Sequence, residues 1–354
     1  MNDKLVQNSY KIVRFGQPLE KITETPADPV GTEVLLEVRA CGVCHSDVHL
    51  HDGYFDLGGG KRLDMTQGIP LPRTLGHEIV AKVVRVGPDC ADVKPGSSWL
   101  IYPWIGCGQC SVCRVGDEHL CVRPRALGIG ADGGFSNYVR VPHPRYLVDY
   151  GSLPEHLACT YACSGLTAFS ALKKAAPVSQ ADPLMIIGAG GVGQSAIRLA
   201  GVLYDLAPTV VERDADKRQA ALALGAEMVL DPGDRDAAKA HLKENGGYAT
   251  VIDFVGSESS VNYGLGMLRK GGKLIVVGLF GGKIELALPL LPLRPISILG
   301  SYVGSLPELH ELLAMAREKS LPAIDIQTHP LSAVSGLLSD LKDGQIRGRA
   351  VVLP

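Results

Sequence analysis

Two rhythms of apolar and polar positions divide this chain. Between about residues 159 and 300, short apolar runs alternate with stretches of helical period. Leu184 to Ile187, "PTVV", "AEMVL", "ATVIDFVG", "GKLIVVGLF" and "ISILGSYVG" are apolar segments of strand length. Continuous rather than alternating apolar runs are the mark of strands covered on both faces. Helical stretches lie between most of them, and repeated strand–helix alternation predicts a parallel, doubly wound sheet. The first 158 residues have another rhythm, with short β-like runs, frequent glycine and proline, and turn signals about every ten residues. They predict a β-rich unit. After residue 300, "LPELHELLAMAREKS" reads as a helix and "GRAVVLP" as a closing strand. No internal repeat and no Gly/Ser linker appears. The expectation is an α/β protein in which one domain interrupts another: 1–158, then 159–300, then 301–354 as a return to the first.

Composition narrows the function classes. The chain has 354 residues, 46% hydrophobic and 20% charged, with a formal net charge of −2. That is a globular composition with no bulk attraction for nucleic acid or an anionic membrane, so a small-molecule partner is expected. No uncharged apolar run reaches the roughly 18 residues of a membrane helix, and the first residues hold no signal-peptide core. A soluble, cytoplasmic protein is expected. Nine cysteines in a reducing compartment point to metal ligands or catalytic groups rather than disulfides.

The chemistry-bearing residues fall in four places. "CGQCSVCRVGDEHLC" sets Cys107, Cys110, Cys113 and Cys121 in a C-x2-C-x2-C-x7-C array. Four soft thiolates with two-residue gaps suit a closed, tetrahedral structural zinc, and an iron–sulfur cluster takes the same donors. "IIGAGGVG" follows an apolar strand and precedes a helical run, with Gly188, Gly190 and Gly193 as G-x-G-x-x-G and Gly191 and Val192 within the loop. This context is the one a dinucleotide pyrophosphate requires: a tight turn, a bare backbone and the free N–H groups of a helix start. Glu212 ends the next strand, 19 residues past Gly193. A carboxylate there accepts from the ribose hydroxyls and repels a 2′-phosphate, which favours NAD over NADP, while the adjacent Arg213 weakens the discrimination. "CGVCHSDVH" packs two cysteines, two histidines, a serine and an aspartate into nine residues. Its local spacing does not separate metal ligands from a nucleophile with its base or a polar turn. If the second half holds NAD, a zinc with an open corner is the complement, and it needs three protein ligands. Cys44, His77 in "TLGHEIV" and Cys163 in "YACSGLTAF" are the candidates, with Cys159 a rival for the third.

Taken together, "CGVCHSDVH", "LGHEIV", the four-cysteine lobe, "CSGLTAF", "GAGGVG" and "GRAVV", in this order, resemble the zinc-dependent medium-chain alcohol dehydrogenases, most of all the tetrameric bacterial and archaeal kind. The likeness covers essentially the whole length. It implies a GroES-like catalytic domain with an inserted Rossmann domain, two zinc ions per chain, NAD, and a homotetramer or homodimer. It implies Cys44, His77 and Cys163 as catalytic zinc ligands, with Glu78 a neighbouring carboxylate able to approach the metal. It likewise implies Cys107, Cys110, Cys113 and Cys121 as structural ligands. By the same resemblance Asp47 orients the ligand histidine. Ser46 takes the alcohol proton, which leaves through the nicotinamide ribose to His49. His45 and Arg349 contact the coenzyme phosphates, and Thr167 lines the nicotinamide. Phe55 and Trp104 resemble pocket-lining residues, which suggests an apolar slot for medium-sized primary or secondary alcohols and the matching aldehydes and ketones. The alternative within the family is an NADPH-preferring aldehyde or ketone reductase. "FDLGGGKRLDMTQGIPLP" reads as a flexible insertion near the cleft or a surface loop, and "ISILGSYVG" as a strand for subunit pairing.

Overall fold

The computed structural model describes residues 5–176, 182–319 and 321–354. The sequence expectations touching 1–4, 177–181 and 320 lie outside the described residues there. These positions are the start of the first unit, part of the nucleotide half and the last residue of "LPELHELLAMAREKS".

The second half forms a six-stranded parallel sheet. Its spatial order is Met228–Leu230, Thr209–Val211, Leu184–Ile187, Tyr248–Asp253, Leu268–Val276 and Ser297–Gly300. Strand order therefore reverses between Leu184–Ile187 and Tyr248–Asp253, and the crevice at such a reversal is where this architecture takes its ligands. Leu184–Ile187 is buried at every position, flanked by the helices Ser164–Ala175 and Gly191–Tyr204. One strand departs from expectation. Ser297–Gly300 is exposed along its whole length, because it is the sheet's edge, with Ile298 and Leu299 turned outward.

A second sheet, of seven strands, is built around Val34–Gly42, five of them from the first half. That strand pairs antiparallel with Glu78–Val86, and Gly42 faces Glu78. The register matters. A Cβ on Gly42 would stand 2.0 Å from Glu78 Oε2, so only glycine leaves room for that carboxylate. Cys44 lies just beyond one strand and His77 just before the other, so the pairing brings two distant sequence positions together. The closing strand Arg349–Leu353 joins the same sheet, antiparallel to Val34–Gly42 through Val351 and Val352 and parallel to Ile326–Pro330.

The segment read as a flexible insertion or surface loop holds a largely exposed hairpin, Tyr54–Gly58 against Lys61–Asp64, followed by a 3-10 turn at Thr66–Gly68. Gly58, Gly59 and Gly60 all take positive φ, of 76°, 60° and 76°, which closes the turn that other residues resist. No helix among the described residues is long and apolar enough to cross a membrane.

Candidate active site

Cys44, His77 and Cys163 come together. One ligand atom from each lies within 4.8 Å of the others, and all three residues are buried. Each is set by its element. Cys44 is the N-cap of helix His45–Asp52 and Cys163 the N-cap of helix Ser164–Ala175, so two helix N-termini face the cluster and favour thiolates there. The Cys44 and Cys163 sulfurs are 4.0 Å apart. Two thiolates on one tetrahedral zinc stand about 3.8 Å apart. The adjacent Cys163 thiol, against the opposing effect of burial, together with the charges of His77 and Arg349, pulls the Cys44 thiol well below its ordinary pKa, and Cys163 is pushed up in return. His77 Nε2 is buried with no hydrogen-bond partner. A buried polar atom without a partner is costly, and a metal in this cradle removes the cost. The donor set, spacing and orphaned nitrogen all fit zinc.

Asp47 holds the assembly and is wholly buried. Its Oδ2 accepts from the Cys44 N–H at 2.9 Å, and its Oδ1 accepts from the Gly76 N–H at 3.2 Å. Oδ1 also lies 3.2 Å from His77 Nδ1, a charge contact too bent for a regular hydrogen bond. Burial opposes charge on His77, but Asp47 and Cys44 outweigh it and raise its pKa. Aspartate thereby fixes which nitrogen faces the cluster.

Glu78 stands outside the ligand cluster. Its Oε1 accepts from the Ser164 N–H at 3.1 Å and its Oε2 from Arg349 Nη2. Burial lifts Glu78 to about 7 against the pull of Arg349, whose own pKa is raised so that it stays charged. Arg349 is accordingly a buried ion-pair partner. It also closes on the glycine loop, since a Cβ on Gly191 would meet its Cδ at 2.6 Å.

The loop has the tight geometry its glycines predict. Gly188 takes φ of 92°, and a Cβ on Gly193 would sit 1.9 Å from the Gly188 carbonyl oxygen. Gly190 caps helix Gly191–Tyr204, where Val192 is half-buried in the first turn. Glu212 lies just past its strand. It accepts from the Ala189 N–H at 2.8 Å and the Asp214 N–H at 3.0 Å. Arg213 is exposed, and its carbonyl accepts from Arg218.

Around the cleft, Ser46 Oγ is 3.8 Å from the Cys44 sulfur. His49 lies 4.8 Å from the Phe55 ring and 5.3 Å from His45, and His45 stacks on Phe280 at 4.9 Å. Burial lowers the pKa of both histidines. Thr167 Oγ1 is buried and unpartnered. Trp104 Nε1 donates to the Ala162 carbonyl at 3.0 Å, and its ring is 5.2 Å from His77. Two aromatics were not anticipated, Phe280 and Tyr302. Both follow the ends of parallel strands, the side on which such sheets take ligands, and that position was their available signal. An open cavity of about 530 Å³, lined among others by Gln194, Lys217 and Arg347, is not this cleft.

In the second cluster, sulfur separations run from 3.4 Å (Cys110–Cys113) through 3.8 Å (Cys110–Cys121) to 4.0 Å (Cys107–Cys113). Cys121 Sγ accepts the N–H groups of Cys107 and Arg123, each at 3.3 Å. Backbone amides of Gln109 and Cys110 lower Cys107 to about 6, whereas burial raises Cys113 to about 12. Amides aimed at sulfur stabilise thiolates, and the four donors leave no open corner, as a structural zinc requires.

Known proteins share this arrangement. The family described as "Alcohol dehydrogenase GroES-like domain" matches residues 31–152, and "Zinc-binding dehydrogenase" matches residues 191–318. The chain is 34% identical to the NAD-dependent alcohol dehydrogenase of Sulfurisphaera tokodaii, over 98% of this chain and 99% of that protein. It is 30% identical to the D-arabinose 1-dehydrogenase (NADP(+)) of Saccharolobus solfataricus, over 100% and 99%. The alcohol dehydrogenase structure from Aeropyrum pernix superposes with a TM-score of 0.87 at 28% identity, covering 98% of this chain and 100% of that one. The chain belongs to the zinc-dependent medium-chain alcohol dehydrogenases.

Proposed function

We infer that the cleft between the Cys44–His77–Cys163 cluster and the glycine loop oxidises primary or secondary alcohols to aldehydes or ketones, reversibly, with NAD as coenzyme. The observation that carries the reading is two thiols and an imidazole, from three separate segments, converging beside a dinucleotide-type loop. Zinc bound there supplies Lewis acidity that makes the substrate hydroxyl easier to deprotonate. NAD bound on the loop supplies the hydride acceptor.

The chain's own residues do the rest. Asp47 holds His77, and the two helix N-termini hold Cys44 and Cys163. Gly188, Gly190, Gly191, Val192 and Gly193 form the phosphate cradle. Glu212 is read as the ribose acceptor, which favours NAD; Arg213 is its neighbour at the rim. His45 and Arg349 are assigned to the coenzyme phosphates and Thr167 to the nicotinamide side. Ser46 Oγ takes the hydroxyl proton, and His49 passes it to solvent. Its lowered pKa suits it to accept a proton near neutrality. Glu78, paired with Arg349, is read as a carboxylate near the metal rather than a resident ligand. Phe55 and Trp104 wall an apolar slot for medium-sized aliphatic or benzylic substrates.

The chain is divided, on this reading, into 1–158, 159–300 and 301–354. The exposed edge Ser297–Gly300 supports pairing between copies, and hence a homodimer or homotetramer. Nine free cysteines suit a cytoplasmic setting. A screen of alcohols with NAD, followed by absorbance of the reduced coenzyme, tests the activity. No turnover with any alcohol overturns it. Ser46→Ala with zinc retained should cut turnover strongly, and unchanged turnover refutes the relay.

A further inference from the structure

The chain leaves the parallel sheet at Gly300 and reaches helix Leu306–Glu318 through five residues, 301–305. Within them Val303 takes φ of 35°, one of two non-glycine residues at positive φ among the described residues. The other, Asp205, is an ordinary helix cap. A β-branched side chain at positive φ is a true outlier, and such strain persists only where the surroundings impose it.

The surroundings here are rigid on both sides. The Ser301 N–H donates to the Val276 carbonyl at 2.9 Å, and Ser301 Oγ accepts from Lys174 Nζ at 2.9 Å. Beyond Val303, the Gly304 carbonyl accepts from the Tyr102 hydroxyl at 2.9 Å, and Ser305 closes a capping box with Glu308. Gly304 is jammed so closely that a Cβ would meet Leu166 at 2.7 Å. Val303 itself is buried.

What this pinned segment presents is Tyr302. Its ring meets Trp104 edge-on at 5.9 Å, and Trp104 in turn lies 5.2 Å from His77. The residue is 46% exposed, unlike its buried neighbours. Its hydroxyl has no hydrogen bond among the described residues.

Resting on the dehydrogenase reading above, we propose that Tyr302 is a specificity-determining residue that hydrogen-bonds a second oxygen on the substrate. Its phenolic O–H donates to a hydroxyl or carbonyl beside the reacting carbon, while its ring and Trp104 form one wall of the slot. The substrate class this favours is the vicinal diol or hydroxyketone over the plain alkanol of the same carbon frame. Recognition of the second oxygen is by a neutral donor.

The test compares cyclohexanol with trans-cyclohexane-1,2-diol, each with NAD, in the zinc-loaded wild type and in Tyr302→Phe. The ratio of kcat/KM, diol over cyclohexanol, should fall about fivefold in the variant, the worth of one neutral hydrogen bond. The loss on the diol should exceed any loss on cyclohexanol. Both substrates are read on the same enzyme, so the ratio is insensitive to any loss of folded protein. An unchanged ratio, or equal losses on both, overturns the inference while leaving the dehydrogenase reading intact. A wild type that oxidises neither these nor any other alcohol overturns both.

Discussion

Asp47→Asn isolates what one buried carboxylate does for the metal cluster. The substitution keeps shape and volume, so packing around the wholly buried position is preserved. It exchanges one acceptor oxygen for an NH2 group. Aspartate now serves three groups at once: the Cys44 N–H at 2.9 Å, the Gly76 N–H at 3.2 Å, and His77 Nδ1 at 3.2 Å. The amide's single oxygen can satisfy one backbone N–H, and its own hydrogens then face another donor. A buried donor left without an acceptor costs about 1–3 kcal/mol. The negative charge that orients and polarises His77 is lost as well, and removal of such a supporting carboxylate weakens metal binding about 10- to 100-fold. The four-cysteine lobe, on another part of the chain, should keep its zinc. The assay is competition with a chromogenic chelator, reading zinc released per chain. Wild type should give two zincs of high affinity. The variant should give one unchanged and one weakened by that factor, with turnover falling in step with the second. If both zincs hold as tightly as in wild type, Asp47 does not support His77, and the account of the cluster is wrong.

Three further expectations can be checked directly. Burial, then His45, lowers the His49 pKa, so the imidazole stays a neutral proton acceptor below the ordinary histidine value of about 6.5. kcat for alcohol oxidation should therefore persist at that pH and fall only under more acid conditions, and His49→Gln should remove this acid limb from the kcat profile. Glu212→Gln deletes the charge that opposes a 2′-phosphate while keeping a side chain able to accept from Ala189. The ratio of kcat/KM for NADP over NAD should rise about tenfold or more, and an unchanged ratio would show that Glu212 does not set coenzyme choice. Ile298→Lys places a charge on the exposed edge strand, and light scattering should report a smaller assembly if that edge joins copies.

How much was legible in the sequence depended on whether partners were local. The four cysteines of the lobe lie within one short stretch, so spacing alone announced a closed metal site. The glycine loop was equally local, with strand before and helix after. Cys44, His77 and Cys163 were different: only the register of Val34–Gly42 on Glu78–Val86 and the turn before Ser164 unite them, and residue spacing carries no trace of that. The need for a zinc beside the dinucleotide made them candidates, with Cys159 a rival, and the family resemblance gave them their roles. Arg349 was read as a phosphate contact, but its pairing with Glu78 across the sheet was invisible. The hairpin in the glycine-rich insertion was not legible because three successive glycines suggest freedom, whereas here each supplies a positive φ to one turn. Ser297–Gly300 read as buried because apolar composition does not distinguish an edge that awaits a neighbour from an interior strand. Tyr302 escaped notice because backbone strain leaves no mark in composition.

The position of Arg349–Leu353 inside the first sheet bears on how the protein is made. A ribosome releases Val34–Gly42 long before the strand that covers part of its flank. The nucleotide-binding strands, by contrast, emerge consecutively and find neighbours early. During synthesis the nascent catalytic half must wait with an open β-edge, a period of vulnerability to mispairing that ends only when Arg349–Leu353 pairs in.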